Sequence, residues 1–301
     1  VIAIGGGSAI DAGKSTAILM KNPGKTAEEL YEFKFTPTQA APIVAINLTH
    51  GTGSEANRFA VVTIEEKNFK PAIAYDCIYP LYSIDDPQLM TGLSEKQTRY
   101  VSIDAVNHVV EASTTSVTSP YAVDLAISTV ELVAEYLPKA LKDLTDVQAR
   151  YFLAYAALIA GISFDNGLLH YTHALEHPLS GVNPNLTHGL GLAMLLPAVI
   201  KNIYSAKGQT LAAVLKPLVP GLTGDPAEAD QAAQGVEKWL FSVGADHKLA
   251  DEGFRAEDVD KMVELCFNTP SLDGLLAIAP TKATQEAVRE IYASSLTPCH
   301  K

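Results

Sequence analysis

The sequence predicts an α/β domain followed by an all-helical domain. Its first hundred residues alternate short β-branched runs with glycine-rich turns and one clear helix, which is the order of an α/β layer structure. From Ser94 onward, apolar residues recur at helical spacing and strand-like alternation is nearly absent. We therefore expect residues 1–92 to form the α/β domain and residues 93–301 to form the helical domain.

The elements of the α/β domain follow from apolar runs bounded by turn residues. Val1–Ile4 is predicted to be a buried strand that leads into a helix over Ala9–Met20. Further strands are expected at Pro42–Ile46, Arg58–Ile64, Ala72–Tyr75 and Leu81–Ile84. In the helical domain, the spacing is clearest at Val101, Ala105 and Val109. Apolar strands alternating with helices are typical of a parallel sheet covered by helices.

Composition narrows the range of partners. The formal net charge is -12, which disfavours a nucleic-acid or anionic membrane partner. The three cysteines, Cys77, Cys266 and Cys299, lack metal-ligand spacing, and their odd number argues against a disulfide framework. The longest apolar run, residues 189–197, is shorter than the ~20 residues that a membrane-spanning helix needs. We expect a cytoplasmic protein with no nucleic-acid or membrane partner.

Three glycines and a serine join the first strand to the first helix. Gly5, Gly6, Gly7 and Ser8 allow close approach of the backbone, and the free N–H groups of a helix's first turn attract anions. Two phosphate-binding fingerprints nearly match. Ile10 stands where the dinucleotide pattern has its last glycine, and Ser8 stands where the P-loop has glycine. The loop is therefore predicted to bind phosphate, and the alternative is a tight strand-to-helix turn.

A second loop strengthens this prediction. Asn47–Glu55 follows the next strand and contains two glycines and three hydroxyl side chains within seven residues. Neighbouring parallel strands end at the same edge of a sheet, so both loops are expected to line one crevice. A pyrophosphate there would meet the N–H groups of Gly6 and Gly7 and the hydroxyls of Thr49 and Thr52. The alternative is a pair of ordinary turns.

Two segments carry histidine at helical spacing. His170, His173 and His177 lie on one helical face, at positions i, i+3 and i+7. Asp104 and His108 are four residues apart and also share a face. An apolar helix rarely carries an aspartate and a histidine on one side without a partner for the charge. The two faces are therefore candidates for a shared site.

One divalent cation between these segments would satisfy both. The predicted ligands are Asp104, His108, His173 and His188. Three imidazoles and a carboxylate suit Fe(II) or Zn(II). Each part also has a structural explanation, because D-x-x-x-H is often a surface or capping pair and His170 fits a hydrogen-bonded core residue as well as a pocket wall. His50, His247 and His300 belong to no cluster and receive no role.

Together the motifs match a known family. They are GGGS-x-x-D-x-x-K from Gly5 to Lys14, GTGSE from Gly51 to Glu55, D-x-x-x-H at Asp104 and His108, H-A-x-x-H-P-L from His173 to Leu179, and T-H-G at His188. In order and spacing this set resembles the iron-containing alcohol dehydrogenases, from residue 1 to near the C-terminus. The resemblance implies a dehydroquinate synthase-like fold, in which a Rossmann-like nucleotide-binding domain precedes an all-helical metal-binding domain and the site lies in the cleft between them.

The resemblance also implies roles for individual residues. The expected metal ligands are Asp104, His108, His173 and His188; the expected cofactor contacts are Gly5, Gly6, Gly7, Ser8, Thr49, Thr52 and Lys70. His177 is not a ligand in this pattern, and it is expected to face the nicotinamide and relay protons. The implied cofactors are Fe(II), or alternatively Zn(II), with NAD or NADP. The implied reaction is hydride transfer between the nicotinamide and a small primary alcohol, aldehyde or diol.

Two departures from the family pattern affect these expectations. Leu48 stands where the family has a second threonine before GTGSE, which removes a hydroxyl from the cofactor loop. The family's N-terminal segment, with its first βαβ unit, is also missing, so the strand at Val1–Ile4 is expected at the edge of its sheet. A homodimer or larger homo-oligomer is expected to cover that edge. Activity is expected to be impaired to the extent that the adenosine pocket is incomplete.

Other functions remain open at this point. A glycerol dehydrogenase-like enzyme would use zinc and a polyol. A non-catalytic metal-binding remnant would keep the metal ligands and lose cofactor affinity. Dehydroquinate synthase relatives are disfavoured because no cluster of lysine and arginine lies near the metal motifs, and a P-loop phosphotransferase is disfavoured by Ser8.

Overall fold

A three-stranded parallel sheet lies at the centre of the N-terminal part. The structure is a computed structural model that describes residues 1–300. Its strands are β1 (Ile2–Gly5), β2 (Val44–Asn47), β3 (Phe59–Val61), β4 (Ala72–Ala74) and β5 (Tyr82–Asp85). Three of them pair in parallel in the order β1–β2–β5, and β3 and β4 form an antiparallel pair. Each predicted strand is present, displaced or shortened at its ends by one to three residues.

Helix α1 (Gly7–Lys21) covers one face of the parallel sheet. A Cβ on Gly13 of α1 would lie 2.6 Å from the Cβ of Ala3, so helix and strand touch. On the other face, Ile2 and Ile4 are 67% and 59% exposed. The prediction that Val1–Ile4 is a buried strand is therefore wrong for alternate residues, because only one face of the sheet is covered. The prediction that this strand lies at the sheet edge is confirmed.

The remainder of the described chain is mainly helical. After α1, the helices are α2 (Ala27–Tyr31), α3 (Glu95–Ala112), α4 (Pro120–Lys142), α5 (Val147–Gly167), α6 (Tyr171–Val182), α7 (His188–Val214), α8 (Ala229–Ser242), α9 (Val259–Asn268), α10 (Leu272–Ala277) and α11 (Gln285–Ser294). Ser94 caps α3 by accepting a hydrogen bond from the Gln97 amide, and Asp146 caps α5 in the same way through the Ala149 amide. The domain boundary at residues 92/93 stays a prediction, and it falls between β5 and α3.

One large core joins the helices of the C-terminal part. Helices α3, α4 and α5 pack on one another, while α7 packs on α3, α6 and α8. By length and composition alone, α5 and α7 are apolar enough to cross a membrane. Most of the apolar stretch of each is buried against neighbouring helices, and core helices have the same composition.

The loop after β2 packs directly on the helical part. A Cβ on Gly51 would lie 2.6 Å from the Cβ of Val101 on α3. Gly53 has a φ of +59°, and a Cβ there would lie 2.5 Å from the Cα of Gly161 on α5. Backbone therefore meets backbone at this contact, and no side chain fits between loop and helix.

His50, in the same loop, bonds to both helices. Its Nδ1 lies 3.1 Å from the Ser102 hydroxyl on α3, and its Nε2 lies 2.8 Å from Nη1 of Arg150 on α5. His50 and Arg150 are both fully buried. Burial, assisted by the Arg150 charge, lowers the pKa of His50 to about 3. His50 is therefore neutral in the folded protein at ordinary pH.

Substituting Gly53 by alanine should destabilise the protein. The new Cβ would clash with Gly161, and the left-handed backbone is unfavourable for alanine, so we expect a loss of about 3 kcal/mol in the free energy of unfolding. Gly274→Ala is the matched control, because nothing lies within 4 Å of a Cβ there and the backbone is helical. Urea unfolding measures both. Equal stability of the two variants would contradict the tight loop contact.

The buried neutral His50 should make stability depend on pH. Its pKa in the folded protein, about 3, lies below the ordinary histidine pKa of 6.5, so the unfolded chain takes up a proton that the folded chain does not. The contribution is complete above pH 6.5 and is lost as pH falls toward 3, by up to about 1.4 kcal/mol per pH unit. Urea unfolding at pH 7 and pH 5 should show a smaller loss for His50→Gln than for the unchanged protein. The same loss in both would contradict the prediction.

Candidate metal and nucleotide site

Four side chains from three helices converge on one point. Asp104 and His108 lie one turn apart on α3, His173 lies in the first turn of α6, and His188 is the first residue of α7. The Oδ1 atom of Asp104 is 3.4 Å from Nε2 of His108, 3.5 Å from Nε2 of His173 and 3.9 Å from Nε2 of His188. These are the four residues that the sequence singled out as ligands. The donor atoms of Asp104, His108 and His173 lie within 4.8 Å of one another, and His188 joins them through its 3.9 Å contact with Asp104.

The arrangement of these donor atoms fits a divalent metal. Asp104 Oδ1 and His173 Nε2 are buried, yet neither has a hydrogen-bond partner within the described residues. Ligands held at about 2.1 Å in a tetrahedron are separated by about 3.4 Å, which is close to the spacing found here. The His188 side chain is 31% exposed and the other three are nearly inaccessible, so the point opens to solvent on the His188 side.

Glu111 orients His173. Its carboxylate accepts hydrogen bonds from the amides of His170 and Thr172, at 3.1 and 2.7 Å, and from Nδ1 of His173. With Nδ1 donating to Glu111, Nε2 of the neutral ring would present its lone pair to a cation bound beside Asp104. Burial opposes charge on both groups, but their mutual attraction prevails: it lowers the pKa of Glu111 and raises the pKa of His173 to about 9.

Glu176 orients His188 in the same way. Its Oε2 atom contacts Nδ1 of His188 and lies 3.2 Å from Nζ of Lys70, and its other oxygen accepts from Ser180. Burial alone would raise the pKa of Glu176, but His188 and Lys70 hold it well below its usual range. Glu111 and Glu176 were not assigned from the sequence. The available signal is that each follows a predicted ligand, His108 or His173, by three residues on the same helix.

His108 is held by stacking instead of by a carboxylate. Its Nδ1 atom has no partner among the described residues. The ring stacks on His173 and on Phe164, with centroids 4.7 and 4.5 Å apart. Phe164 in turn contacts Phe59 on β3, with ring centroids 5.3 Å apart. This contact connects His108 to the N-terminal part. Burial lowers the pKa of His108 to about 4.

His177 and His170 lie beside this cluster and differ from each other. The ring centroid of His177 is 5.9 Å from that of His188 and 6.5 Å from that of His173, and its Nδ1 is unpartnered within residues 1–300. Burial and the Lys70 charge lower the pKa of His177 well below its usual value. His170 is fully buried and bonds to the Thr114 hydroxyl at 2.8 Å, which matches the hydrogen-bonded core alternative.

Lys70 reaches the ligands from the N-terminal part. Its Nζ lies 3.1 Å from Nδ1 of His188 and 3.2 Å from Glu176 Oε2. The sequence predicted a cofactor contact for Lys70, and this role stays a prediction. The structure places the ammonium group against His188, one of the predicted ligands, and against the carboxylate of Glu176.

The two glycine loops touch each other. A Cβ on Gly6 would lie 2.7 Å from Cγ2 of Thr49, and one on Gly7 would lie 2.5 Å from Cγ2 of Thr52. The two loops therefore pack side by side, and a side chain at Gly6 or Gly7 would push them apart. Gly6 is the N-cap of α1 and no side chain caps the helix, so the first-turn N–H groups of α1 keep their capacity for an anion. Ser8 is exposed in this first turn.

Asp11 and Lys14, which contributed to the family resemblance, fasten α1 to the segment after the second loop. Lys14 Nζ donates to the Ser54 hydroxyl and to the carbonyls of Asn57 and Phe59, at 2.9, 2.9 and 2.7 Å. Asp11 accepts from the Ser54 hydroxyl at 2.6 Å. Burial lowers the pKa of Lys14 to about 8. These two side chains therefore hold the end of the second glycine loop, at Ser54, against α1.

Family models match nearly the whole chain. The model described as "Iron-containing alcohol dehydrogenase" matches residues 1–87, and "Fe-containing alcohol dehydrogenase family, C-terminal" matches residues 98–296. The chain is 60% identical over 295 residues to the long-chain primary alcohol dehydrogenase AdhA of Thermoanaerobacter ethanolicus, an alignment that covers 98% of this chain and 74% of that protein.

Solved structures agree in fold. An alcohol dehydrogenase from an archaeon of a Red Sea brine pool superposes with a TM-score of 0.90 at 29% identity, covering 98% of this chain and 77% of that one. The NADH-dependent butanol dehydrogenase A of Thermotoga maritima gives 0.89 at 26% identity, with 98% and 76% covered. The predicted fold class, a Rossmann-like α/β domain followed by a helical domain, is confirmed. The chain belongs to the iron-containing alcohol dehydrogenase family of metal-dependent oxidoreductases.

Proposed function

We propose that Asp104, His108, His173 and His188 hold Fe(II), and that the chain transfers hydride between NAD and a primary alcohol beside it. The observation that carries the proposal is the convergence of one carboxylate oxygen and three imidazole nitrogens, two of them buried without hydrogen-bond partners. Zn(II) suits the same ligands and is the alternative metal. When bound, the metal supplies a positive charge that polarises the C–O group of the substrate, and the nicotinamide supplies the hydride acceptor.

The glycine loops are proposed to hold the pyrophosphate of the cofactor. The first-turn N–H groups of α1, at Gly7 and Ser8, supply donors, and the absence of a side-chain cap within this turn supports an anion in that place. Gly5 and Gly6 keep the backbone open to approach. Thr49 and Thr52 lie against Gly6 and Gly7, and their hydroxyls are proposed as further contacts.

His177 is proposed to carry the proton of the reaction. It is almost fully buried, it is neutral, and its unpartnered Nδ1 atom can accept a proton. Its ring centroid lies 6.5 Å from that of His173 and 5.9 Å from that of His188, which are both proposed ligands. Lys70, whose charge disfavours protonation of His177, is proposed to contact the cofactor as well as Glu176.

A primary alcohol is proposed as substrate. The relative with 60% identity is named for long-chain primary alcohols, and the Thermotoga enzyme is named for butanol. Phe164 stacks on His108 and Phe59 packs against Phe164, and these apolar rings suit an aliphatic chain better than a polyol. A small diol or glycerol remains the alternative.

Charge, free cysteines and an exposed apolar face of the sheet bear on location and assembly. The net charge of -12 and three free cysteines support a cytoplasmic enzyme without nucleic-acid or membrane partners. The outer face of the sheet exposes Ile2, Ile4 and Ile84, which supports a homodimer or larger homo-oligomer that covers this face.

Metal and substrate can be tested together. The protein is stripped of metal and reloaded with Fe(II) or Zn(II), and NADH and NADPH absorbance is followed with primary alcohols from ethanol to octanol, 1,2-propanediol and glycerol. We expect turnover with Fe(II), NAD and primary alcohols, and loss of bound metal and of activity in His173→Ala. His247→Ala, an exposed histidine on another surface, is the control.

Other outcomes of this experiment are also informative. Turnover that needs no metal, or that survives in His173→Ala, would contradict the proposed site. Tight metal binding without cofactor affinity or turnover would support the non-catalytic alternative. Preference for glycerol with Zn(II) would support the polyol enzyme.

Removing the charge of Glu111 should weaken metal binding. Glu111→Gln leaves Nδ1 of His173 without its carboxylate, so we expect a 10- to 100-fold lower affinity for Zn(II), measured by competition with a chromophoric chelator. Glu264→Gln, exposed on α9, is the matched control. Unchanged affinity in a folded Glu111→Gln protein would show that this carboxylate does not orient a ligand.

A further inference from the structure

The cofactor loop is connected to the metal-bearing helix through His50. This residue stands between Thr49 and Gly51, and its Nδ1 atom lies 3.1 Å from the Ser102 hydroxyl on α3. Ser102 precedes the proposed ligand Asp104 by two residues. The path from the phosphate-facing hydroxyl of Thr49 to the proposed ligand therefore passes through one side-chain hydrogen bond.

The buried Arg150 requires His50 as a hydrogen-bond acceptor. It is fully buried, and none of the ion pairs among residues 1–300 involves it. Its guanidinium instead donates to Nε2 of His50 at 2.8 Å, to the Thr98 hydroxyl at 2.7 Å and to the carbonyl of Leu144 at 3.0 Å. A buried cation that lacks a carboxylate depends on every neutral acceptor, because an unmet donor there is costly.

The network fixes the protonation of His50. Since Arg150 has only donors, Nε2 of His50 must accept, and the single ring proton is on Nδ1, where it is donated to Ser102. Both nitrogens are thus engaged, one with α3 and the other with α5. The ring cannot turn without breaking both contacts.

The rest of the loop has equally little freedom. Gly51 packs on Val101 and Gly53 packs on Gly161, so the segment that follows His50 lies against the same two helices. On its other side, Thr49 and Thr52 meet Gly6 and Gly7 of the first loop. A shift of His50 would therefore move both glycine loops relative to α3.

We propose that His50 is a positioning residue for hydride transfer: its bond to Ser102 sets the distance between the nucleotide-binding loops and the metal-bearing helix α3. The inference rests on the proposed function, because it concerns where the nicotinamide stands relative to the metal ligands. Hydride transfer needs the reacting atoms within about 3–3.5 Å, and a misplacement of 1 Å can cost about 100-fold in rate.

The competing explanation is that His50 only satisfies the buried Arg150. Ser102→Ala separates the two explanations, because it removes the contact with α3 and leaves the bond between His50 and Arg150 in place. His50→Gln removes the same contact from the other side, and its side-chain oxygen still offers Arg150 an acceptor. The control is Ser113→Ala, whose buried hydroxyl bonds only to a carbonyl of its own helix.

The experiment measures hydride transfer and loop mobility in the metal-loaded chain of 301 residues. Single-turnover mixing with NAD and butanol gives the transfer rate, NAD titration gives Kd, and amide hydrogen exchange reports on residues 49–53. We expect Ser102→Ala and His50→Gln each to slow transfer by about 10-fold and to speed exchange in the loop. The double variant should be no slower than either single variant, because both remove one contact. The control should match the unchanged protein.

Three results would overturn the proposal. These are transfer within twofold of the unchanged protein in a folded Ser102→Ala variant, effects that multiply in the double variant, or loop exchange that does not change. Failure of the proposed function is distinguishable. In that case the unchanged protein itself neither binds NAD nor turns over, while the exchange measurement still decides whether His50 holds the loop.

Discussion

The structure depends on a buried negative charge at Asp104. Its carboxylate is almost inaccessible to water, and within residues 1–300 its Oδ1 atom has no hydrogen-bond partner. Nitrogens of three imidazole rings lie 3.4 to 3.9 Å from that oxygen. Burial would favour protonation, yet the neighbouring histidines hold the pKa of Asp104 well below its usual range. A charged group in this position needs a cation, and it determines what the surrounding helices must provide.

The charges around the site are consistent with a divalent ion. Three carboxylates, Asp104, Glu111 and Glu176, are buried within one cluster, and Lys70 is the ammonium group that reaches it. With every imidazole neutral, Lys70 and one divalent cation together balance the three carboxylates. Without the cation, the balance must come from protonated histidine, and this is where the raised pKa of His173 originates. The same carboxylates that orient the ligands therefore also supply the charge that a metal neutralises.

Much of the site could be predicted from the sequence, because its signals are local. Asp104 and His108 are one helical turn apart, and the glycine loops each follow an apolar strand, so spacing alone identifies candidates. Glu111 has a local signal as well, but a buried glutamate on a helix cannot be distinguished from an exposed one without knowing which face is covered. The exposure of Ile2 and Ile4 has the same cause, since apolar residues do not reveal whether a helix covers one face of a sheet or both.

Contacts between distant segments could not be predicted in this way. His50 bonds to residues 52 and 100 positions away, and nothing near it in the sequence indicates either partner. Lys14 is a related case: the motif marks it as part of the family pattern, but its ammonium group donates to carbonyls that only the folded chain brings together. Periodicity defines the faces of an element, whereas the identity of the opposing face depends on the tertiary fold.

The two parts of the chain contribute different components of the proposed reaction centre. The four proposed ligands come from α3, α6 and α7, and the loops proposed to hold the pyrophosphate follow β1 and β2. Metal affinity and cofactor affinity can therefore vary separately, but hydride transfer requires a fixed distance between them. Contacts join the two parts at separate places. Lys70 contacts Glu176 and His188 near the proposed ligands, and His50 forms hydrogen bonds with residues of α3 and α5. Together with the packing of Gly51 on Val101, of Gly53 on Gly161 and of Phe59 on Phe164, these contacts hold the two sites in one alignment.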